Sequence, residues 1–159
     1  MIIEQERTPT GEAATELILS AFRANGLLLD AGDLLSADEG LTSARWQVLG
    51  AIALAERPLT VPQIARRMGL TRQSVHATVN RLVDDGFLEL GPNADHQRSP
   101  LVGLTKQGGA KYEALDARQA AWINRLARGI ARSDIETAVR VLDELSRRLD
   151  DDRRERGST

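Results

Sequence analysis

Between residues 61 and 105 the spacing of apolar and polar positions changes character several times. In VPQIARRMGL, Ile64, Ala65 and Met68 fall on one face of a short helix. Gly69 follows the last apolar turn, where a helix end favours glycine. Thr71 stands where a new helix needs a side-chain oxygen for its free N–H groups. In TRQSVHATVNRLVDDG, Val75, Val79, Leu82 and Val83 recur at spacings of 4, 3 and 1, the buried stripe of a second helix over residues 71–85. Asp84-Asp85-Gly86 ends it, with Gly86 suited to the position just past a helix. Two short apolar runs follow, FLEL at 87–90 and LVGL at 101–104. The ten residues between them, 91–100, are rich in Gly, Pro, Asn, Asp and Ser, the chemistry of a long hairpin tip. Helix, tight turn, helix, strand, tip, strand is the order of a winged helix-turn-helix, a DNA-reading unit.

The other side of the second helix carries the candidate chemistry. Thr71, Arg72, Gln73, Ser74, His76 and Thr78 occupy its first two turns, and Arg81 follows. These are donors and acceptors long enough to reach base edges and phosphates. Arg81 has a second reading, as the partner of Asp84 or Asp85. Arg98 and Ser99 sit near the hairpin tip, and an arginine on a protruding hairpin suits the negative potential of a minor groove. Arg66 and Arg67 either meet phosphates or are simply solvated.

Two segments, LTRQSVHATVNRLVDDGFLEL and NADHQRSPLVGLTKQG, resemble the MarR (multiple antibiotic resistance regulator) family of transcription factors. The family wing reads Asn-Pro-x-Asp-x-Arg-Ser, then a strand ending Leu-Thr-x-x-Gly. Asn93, Arg98, Ser99, Leu104, Thr105 and Gly108 fit that pattern. Ala94 replaces the usual proline, and His96 stands where an aspartate usually braces the wing arginine. Asp95 is next door, but on an extended strand its side chain starts from the other side. The likeness covers residues 11–149 in layout and 41–108 in specific motif.

The rest of the chain reads as helices. Residues 1–10 are expected to be disordered, because Thr8-Pro9-Thr10-Gly11 breaks regular structure. A helical pattern covers residues 12–35, with Gly26 and Gly32 as places where it could bend. Its leucines at 27–29, 34 and 35 exceed one stripe. Either the helix is buried in the core, or it also packs on a second subunit. Residues 37–40 read as a loop. Thr42 or Ser43 caps a helix to about residue 55, with Trp46, Leu49, Ile52 and Ala53 inward. Residues 59–61 are a candidate third strand beside the wing. Thr105 caps a long helix to about residue 130, and Ser133 caps a last one. There Ile135, Val139, Leu142, Leu145 and Leu149 form a packing seam. Residues 150–159 are expected to be a charged, frayed tail. The whole is mainly α with a small β-wing, a winged helix-turn-helix (41–108) within one domain (11–149). The resemblance implies that the flanking helices, 11–37 and 109–149, form a dimer.

Charge changes the picture locally. The net charge is −2, unusual for a DNA binder. Residues 1–40 carry −6, but residues 61–111 carry +3, and phosphate binding follows the local field. At 42% hydrophobic and 3% aromatic, the core is built from Leu, Ala, Val and Ile. There is no cysteine, which excludes disulfides, thiolate metal sites and the thiol-based oxidant sensing of one branch of the family. Two lone histidines, His76 and His96, on separate elements do not make a metal pattern, so no metal or cofactor is expected. No apolar run approaches the ~20 residues of a membrane helix, and the acidic start MIIEQERTPTGE lacks a signal-peptide core, so a cytoplasmic protein is expected.

No phosphate loop, nucleophile motif or acid–base cluster points to an enzyme. The resemblance implies a homodimeric, ligand-responsive repressor that binds double-stranded DNA at a palindromic operator. It also implies a site for a small aromatic or phenolic effector, in which Arg45 and Trp46 would hold a carboxylate and a ring. The plainer reading makes Trp46 core and Arg45 a surface or intersubunit ion pair. The alternative function is a winged-helix protein-interaction module without DNA binding.

Overall fold

The computed structural model describes residues 6–157. Within them the chain runs α1 (Pro9–Ser36), a 3-10 turn (Ala37–Glu39), α2 (Ser43–Ala53), α3 (Val61–Met68), α4 (Arg72–Asp84), β1 (Leu88–Gly91), β2 (Leu101–Leu104), α5 (Lys106–Leu126) and α6 (Arg132–Gly157). It separates into two compact units, dividing within α5 between Gln119 and Ala120.

The first unit holds the winged helix. Thr8, expected in a disordered stretch, instead caps α1: its hydroxyl accepts from Gly11 N–H at 3.1 Å. Pro9 supplies a fixed φ in the first turn, where its missing N–H costs nothing. The expectation of disorder is corrected for Pro9 and Thr10, and residues 1–5 lie outside the described residues. Gly32 lies in an unbroken helix. It permits a close crossing, since a Cβ there would sit 2.6 Å from Ser43 Oγ. Asp33 Oδ1 accepts from Ser43 N–H at 2.6 Å, and the buried Ser36 hydroxyl lies 2.7 Å from Gly32 O and 3.0 Å from Leu41 O. The end of α1 is thereby stitched to the start of α2.

The core is apolar and continuous. Val48, Leu49 and Ile52 of α2 meet Ile64 and Ala65 of α3, Val75, Val79 and Leu82 of α4, Leu88 and Val102 of the sheet, and Leu115 of α5. These are the stripes that the sequence spacing marked on α3 and α4. The sheet has two antiparallel strands, with Leu88 opposite Leu104 and Leu90 opposite Val102. The expected third strand is a single bridge. Leu59 exchanges two backbone hydrogen bonds with Val102, and Thr60 is already the cap of α3.

The second unit is the remainder of α5 with α6. Leu126 ends α5 before Gly129 turns left-handed at φ 85°. The last helix starts at Arg132, so Ser133 lies in its first turn rather than capping it. It runs to Gly157, where a frayed tail was expected. The charges explain the correction, because opposite signs recur at three- and four-residue spacing: Arg147 with Glu144 and Asp151, Arg148 with Glu144, Arg156 with Asp152. Hydrogen bonds from Arg147 and Arg148 hold the Glu144 carboxyl down at about 2.

The reading of α1 as a helix buried in its own core does not hold. Phe22, Leu27 and Leu34 are each at least 70% exposed. The seam on α6 is exposed as well, at Ile135, Val139, Leu142 and Leu149, with Leu145 half-buried.

Candidate nucleic-acid interface

The two helices of the helix-turn-helix are set by their caps. Thr60 and Gln63 form a reciprocal capping box at the start of α3. At its end Gly69 adopts φ 63°, a left-handed turn that a side chain resists, and Leu70 N–H reaches back to Ala65 O at 2.9 Å. One residue later Thr71 starts α4, its Oγ1 accepting from Ser74 N–H at 3.1 Å. Burial of Val75, Val79 and Leu82 then turns Arg72, Gln73, His76 and Asn80 to solvent.

The wing is seated on the start of α5. Thr105 N–H donates to Phe87 O at 3.1 Å, and its hydroxyl donates to Gly86 O at 2.7 Å while accepting from Gly108 N–H at 3.0 Å. Gly108 lies directly against the Phe87 carbonyl. A Cβ there would lie 2.8 Å from the carbonyl carbon and overlap its oxygen. The Leu-Thr-x-x-Gly pattern is therefore a clamp on the base of the wing.

At the tip, Asn93 does the bracing. Its amide donates to Ser99 O at 2.8 Å, and its Oδ1 accepts from Asp95 N–H at 3.2 Å. Ser99 N–H closes the turn onto His96 O at 2.9 Å. The loop is thus held by one side chain and its own backbone, with no contribution from a carboxylate at position 96, and Arg98 projects from it exposed.

Helix and wing together frame a cleft of about 420 Å³. Arg72, Gln73 and His76 line one side, and Arg98 and Ser99 line the other. Asn80, not among the contacts expected from the sequence, completes the helical side and lies 3.3 Å from His76 Nδ1. Residues 72, 76 and 80 share a face at four-residue spacing. The floor is apolar, from Val61, Pro62, Leu90 and Pro100. Sequence reasoning missed these four, because they come from the start of α3, from β1 and from the end of the wing loop, and only folding brings them together.

Some expected residues do other work. The Ser74 hydroxyl turns back to Thr71 O at 3.0 Å, and that of Thr78 to Ser74 O at 3.0 Å. Both serve the helix and neither lines the cleft. Arg81 is exposed beyond the cleft, and it is Arg45 rather than Arg81 that pairs with Asp85. Arg45 also donates to Gly40 O at 3.5 Å, and its Nε is buried without a partner. Trp46 packs, half-buried, against the core. Arg45 and Trp46 are thus both engaged within the chain. No group of three or more potential metal ligands is found among the described residues. Among them, too, Arg66, Arg67, Arg72, Arg81 and Arg98 make no ion pair with an acid, whereas Lys111 and Arg118 are tied to Glu39 and Asp38.

Comparison with known proteins agrees with this geometry. The model of the MarR family matches residues 39–99, from the 3-10 turn to the wing. Over 111 residues the chain is 45% identical to the uncharacterized protein Rv2011c of Mycobacterium tuberculosis, covering 70% of this chain and 76% of that one. The chain belongs to the MarR family. It is a DNA-binding transcription regulator of the winged-helix type. It is also 30% identical over 106 residues to the transcriptional activatory protein BadR of Rhodopseudomonas palustris, covering 65% of this chain and 61% of that one. Among solved structures, CouR from Rhodococcus jostii RHA1, bound to p-coumaroyl-CoA, superposes with a TM-score of 0.71 at 21% identity, over 78% of this chain and 87% of that one. That last likeness establishes the fold. No helix among the described residues is long and apolar enough to cross a membrane.

Proposed function

We propose that this MarR-family protein is a cytoplasmic homodimeric repressor that reads a palindromic operator. Thr71, Arg72, Gln73, His76 and Arg81 of α4 and its cap face the major groove, and Arg98 and Ser99 of the wing reach the neighbouring minor groove. The observation that carries the reading is the cleft itself. Arg72 and Arg98 converge from helix and wing with no acid opposing either among the described residues. Free cations in that position attract phosphate at close range, although the chain as a whole is slightly acidic.

The dimer rests on the exposed apolar positions of α1 and α6. Phe22, Leu27 and Leu34 on one, and Val139, Leu142 and Leu149 on the other, leave more apolar surface bare than a monomer in water favours. A two-fold dimer presents two copies of α4 and matches half-sites about one DNA turn, roughly 10 bp, apart.

The effector is a small aromatic or phenolic acid, the class of the 4-hydroxyphenylacetate held by NadR, a protein of the same fold. Arg45 is where an acid would act. It already holds Asp85 at the end of α4, so a competing carboxylate would loosen the recognition helix. Such a ligand releases DNA only to the extent that it binds the non-binding geometry better.

Fluorescence anisotropy on the protein's own upstream DNA, against a scrambled duplex at several salt concentrations, tests the reading. Tight, palindrome-dependent binding with a negative log–log salt slope is expected. Equal weak binding to both duplexes would reject it in favour of a protein-interaction role. Adding aromatic acids to the same assay tests the effector, and a reporter fused to the operator reads the direction of control, which matters because BadR is named an activator.

A further inference from the structure

The floor of the cleft does not match the parts of DNA usually credited to such an interface. Phosphates call for cations, and base edges call for donors and acceptors. Val61, Pro62, Leu90 and Pro100 supply neither from their side chains, and the two prolines have no N–H. Leu90 is the most telling. It lies two residues beyond the buried Leu88 on β1, hence on the same face, and stands opposite the fully buried Val102, so it lies on the core side of the wing. It is nonetheless 53% exposed, because the floor ends in open cleft rather than in more protein.

A helix in the major groove and a wing in the adjacent minor groove are separated by one sugar–phosphate strand. The cleft lies between helix and wing. Its rim, with Arg72 on one side and Arg98 on the other, fits the phosphates of that strand. The apolar surface lying between successive phosphates is the deoxyribose. We propose that the floor formed by Val61, Pro62, Leu90 and Pro100 seats deoxyribose. The cleft is then a sugar-reading site that distinguishes a DNA strand from an RNA strand by refusing a 2′-hydroxyl. This rests on the DNA-binding reading above and names the chemistry it reads at this point. A hydroxyl pressed on these four side chains loses its water and finds no donor or acceptor among them.

The test uses the full-length protein and a duplex that it selects from a random pool. Ribonucleotides are placed singly at each position of each strand, which leaves the helix near its B-form. One or two adjacent positions per half-site are expected to weaken binding about tenfold, the remainder having little effect. Leu90→Ser is expected to weaken the all-DNA duplex about fivefold with an unchanged salt slope, since the lost contact is apolar. The ribonucleotide penalty at the sensitive positions should also shrink in that variant. A third arm replaces each thymine by uracil, to separate sugar from base methyl. Uniform tolerance of ribonucleotides overturns the proposal while leaving DNA binding intact. So does a loss that follows the thymine methyl instead of the 2′ position. A protein that selects no duplex overturns the parent reading and this one with it.

Discussion

Two adjacent glycines at the start of α5 make opposite predictions. At Gly108 an added Cβ would lie 2.8 Å from the Phe87 carbonyl carbon and 3.2 Å from its Cα, overlapping the oxygen. The obstacle is backbone, itself fixed by Thr105 N–H on the same oxygen at 3.1 Å, so no rotamer change relieves it. Helix and strand must separate by about an ångström, which breaks the Thr105 clamp at the base of the wing. Overpacking of this kind costs about 1–3 kcal/mol. Loss of the Thr105 bonds adds about 1 kcal/mol. The helical preference for Ala over Gly returns up to about 1 kcal/mol. Gly108→Ala should therefore destabilise the protein by about 1–4 kcal/mol. At Gly109 nothing lies within 4 Å of the added Cβ, and the same helical preference acts alone. Gly109→Ala should stabilise by about 0.5–1 kcal/mol. Urea unfolding followed by circular dichroism, at fixed protein concentration because a dimer's stability depends on it, reads both. Equal effects of the two substitutions would refute the argument. So would a neutral Gly108→Ala, since it would mean that the wing is not clamped at this point.

Arg98→Ala should weaken operator binding and lower the salt slope by about one unit if the side chain neutralises one phosphate; unchanged anisotropy titrations would remove the wing from the interface. Leu142→Asp places a charge on the exposed apolar face of α6 and should yield a monomer with little operator affinity, whereas a dimer in sedimentation velocity would show that this face is not the seam. At the Arg45–Asp85 pair, Arg45→Met keeps the packed stem and removes the unpartnered Nε, so it should change stability by less than about 1 kcal/mol. Asp85→Ala leaves the guanidinium without its anion and should cost more than Arg45→Met in the same unfolding assay; the reverse order would overturn this view of the pair. Glu39 is held below the ordinary carboxylate value of 4.5 by the hydrogen bond and then the charge of Lys111, against an opposing effect of burial that exceeds the further lowering by the charge of Arg118. A lowered folded-state value means that the contact stabilises fully above pH 4.5 and fades as the pH falls below it. Glu39→Gln should therefore flatten the loss of stability on acidification from about pH 5, and an unchanged acid profile would count against it.

The local elements of this protein were legible in its sequence because each depends on near neighbours. Gly69 and Thr71 bracket the turn of the helix-turn-helix through their own φ and hydroxyl, and the stripe at Val75, Val79 and Leu82 is a matter of helical pitch. The wing was equally plain from its turn residues. Errors came where a local rule met a second influence. Thr8-Pro9 breaks structure in most settings, but a threonine cap followed by proline also starts a helix. The acidic and basic residues after Leu149 suggested fraying, yet their alternation in sign supports α6 to Gly157. Only the tertiary structure decided which distant groups share a site. Arg72 and Arg98 face one cleft, Asn93 rather than a carboxylate steadies the tip, Arg45 pairs with Asp85, and four apolar residues from α3, β1 and the wing loop form a floor. Chain spacing carries the period of a helix or a strand. It carries no record of which turn of one element stands opposite which residue of another, since that is set by how the core of Leu49, Ile64, Leu82 and Val102 closes.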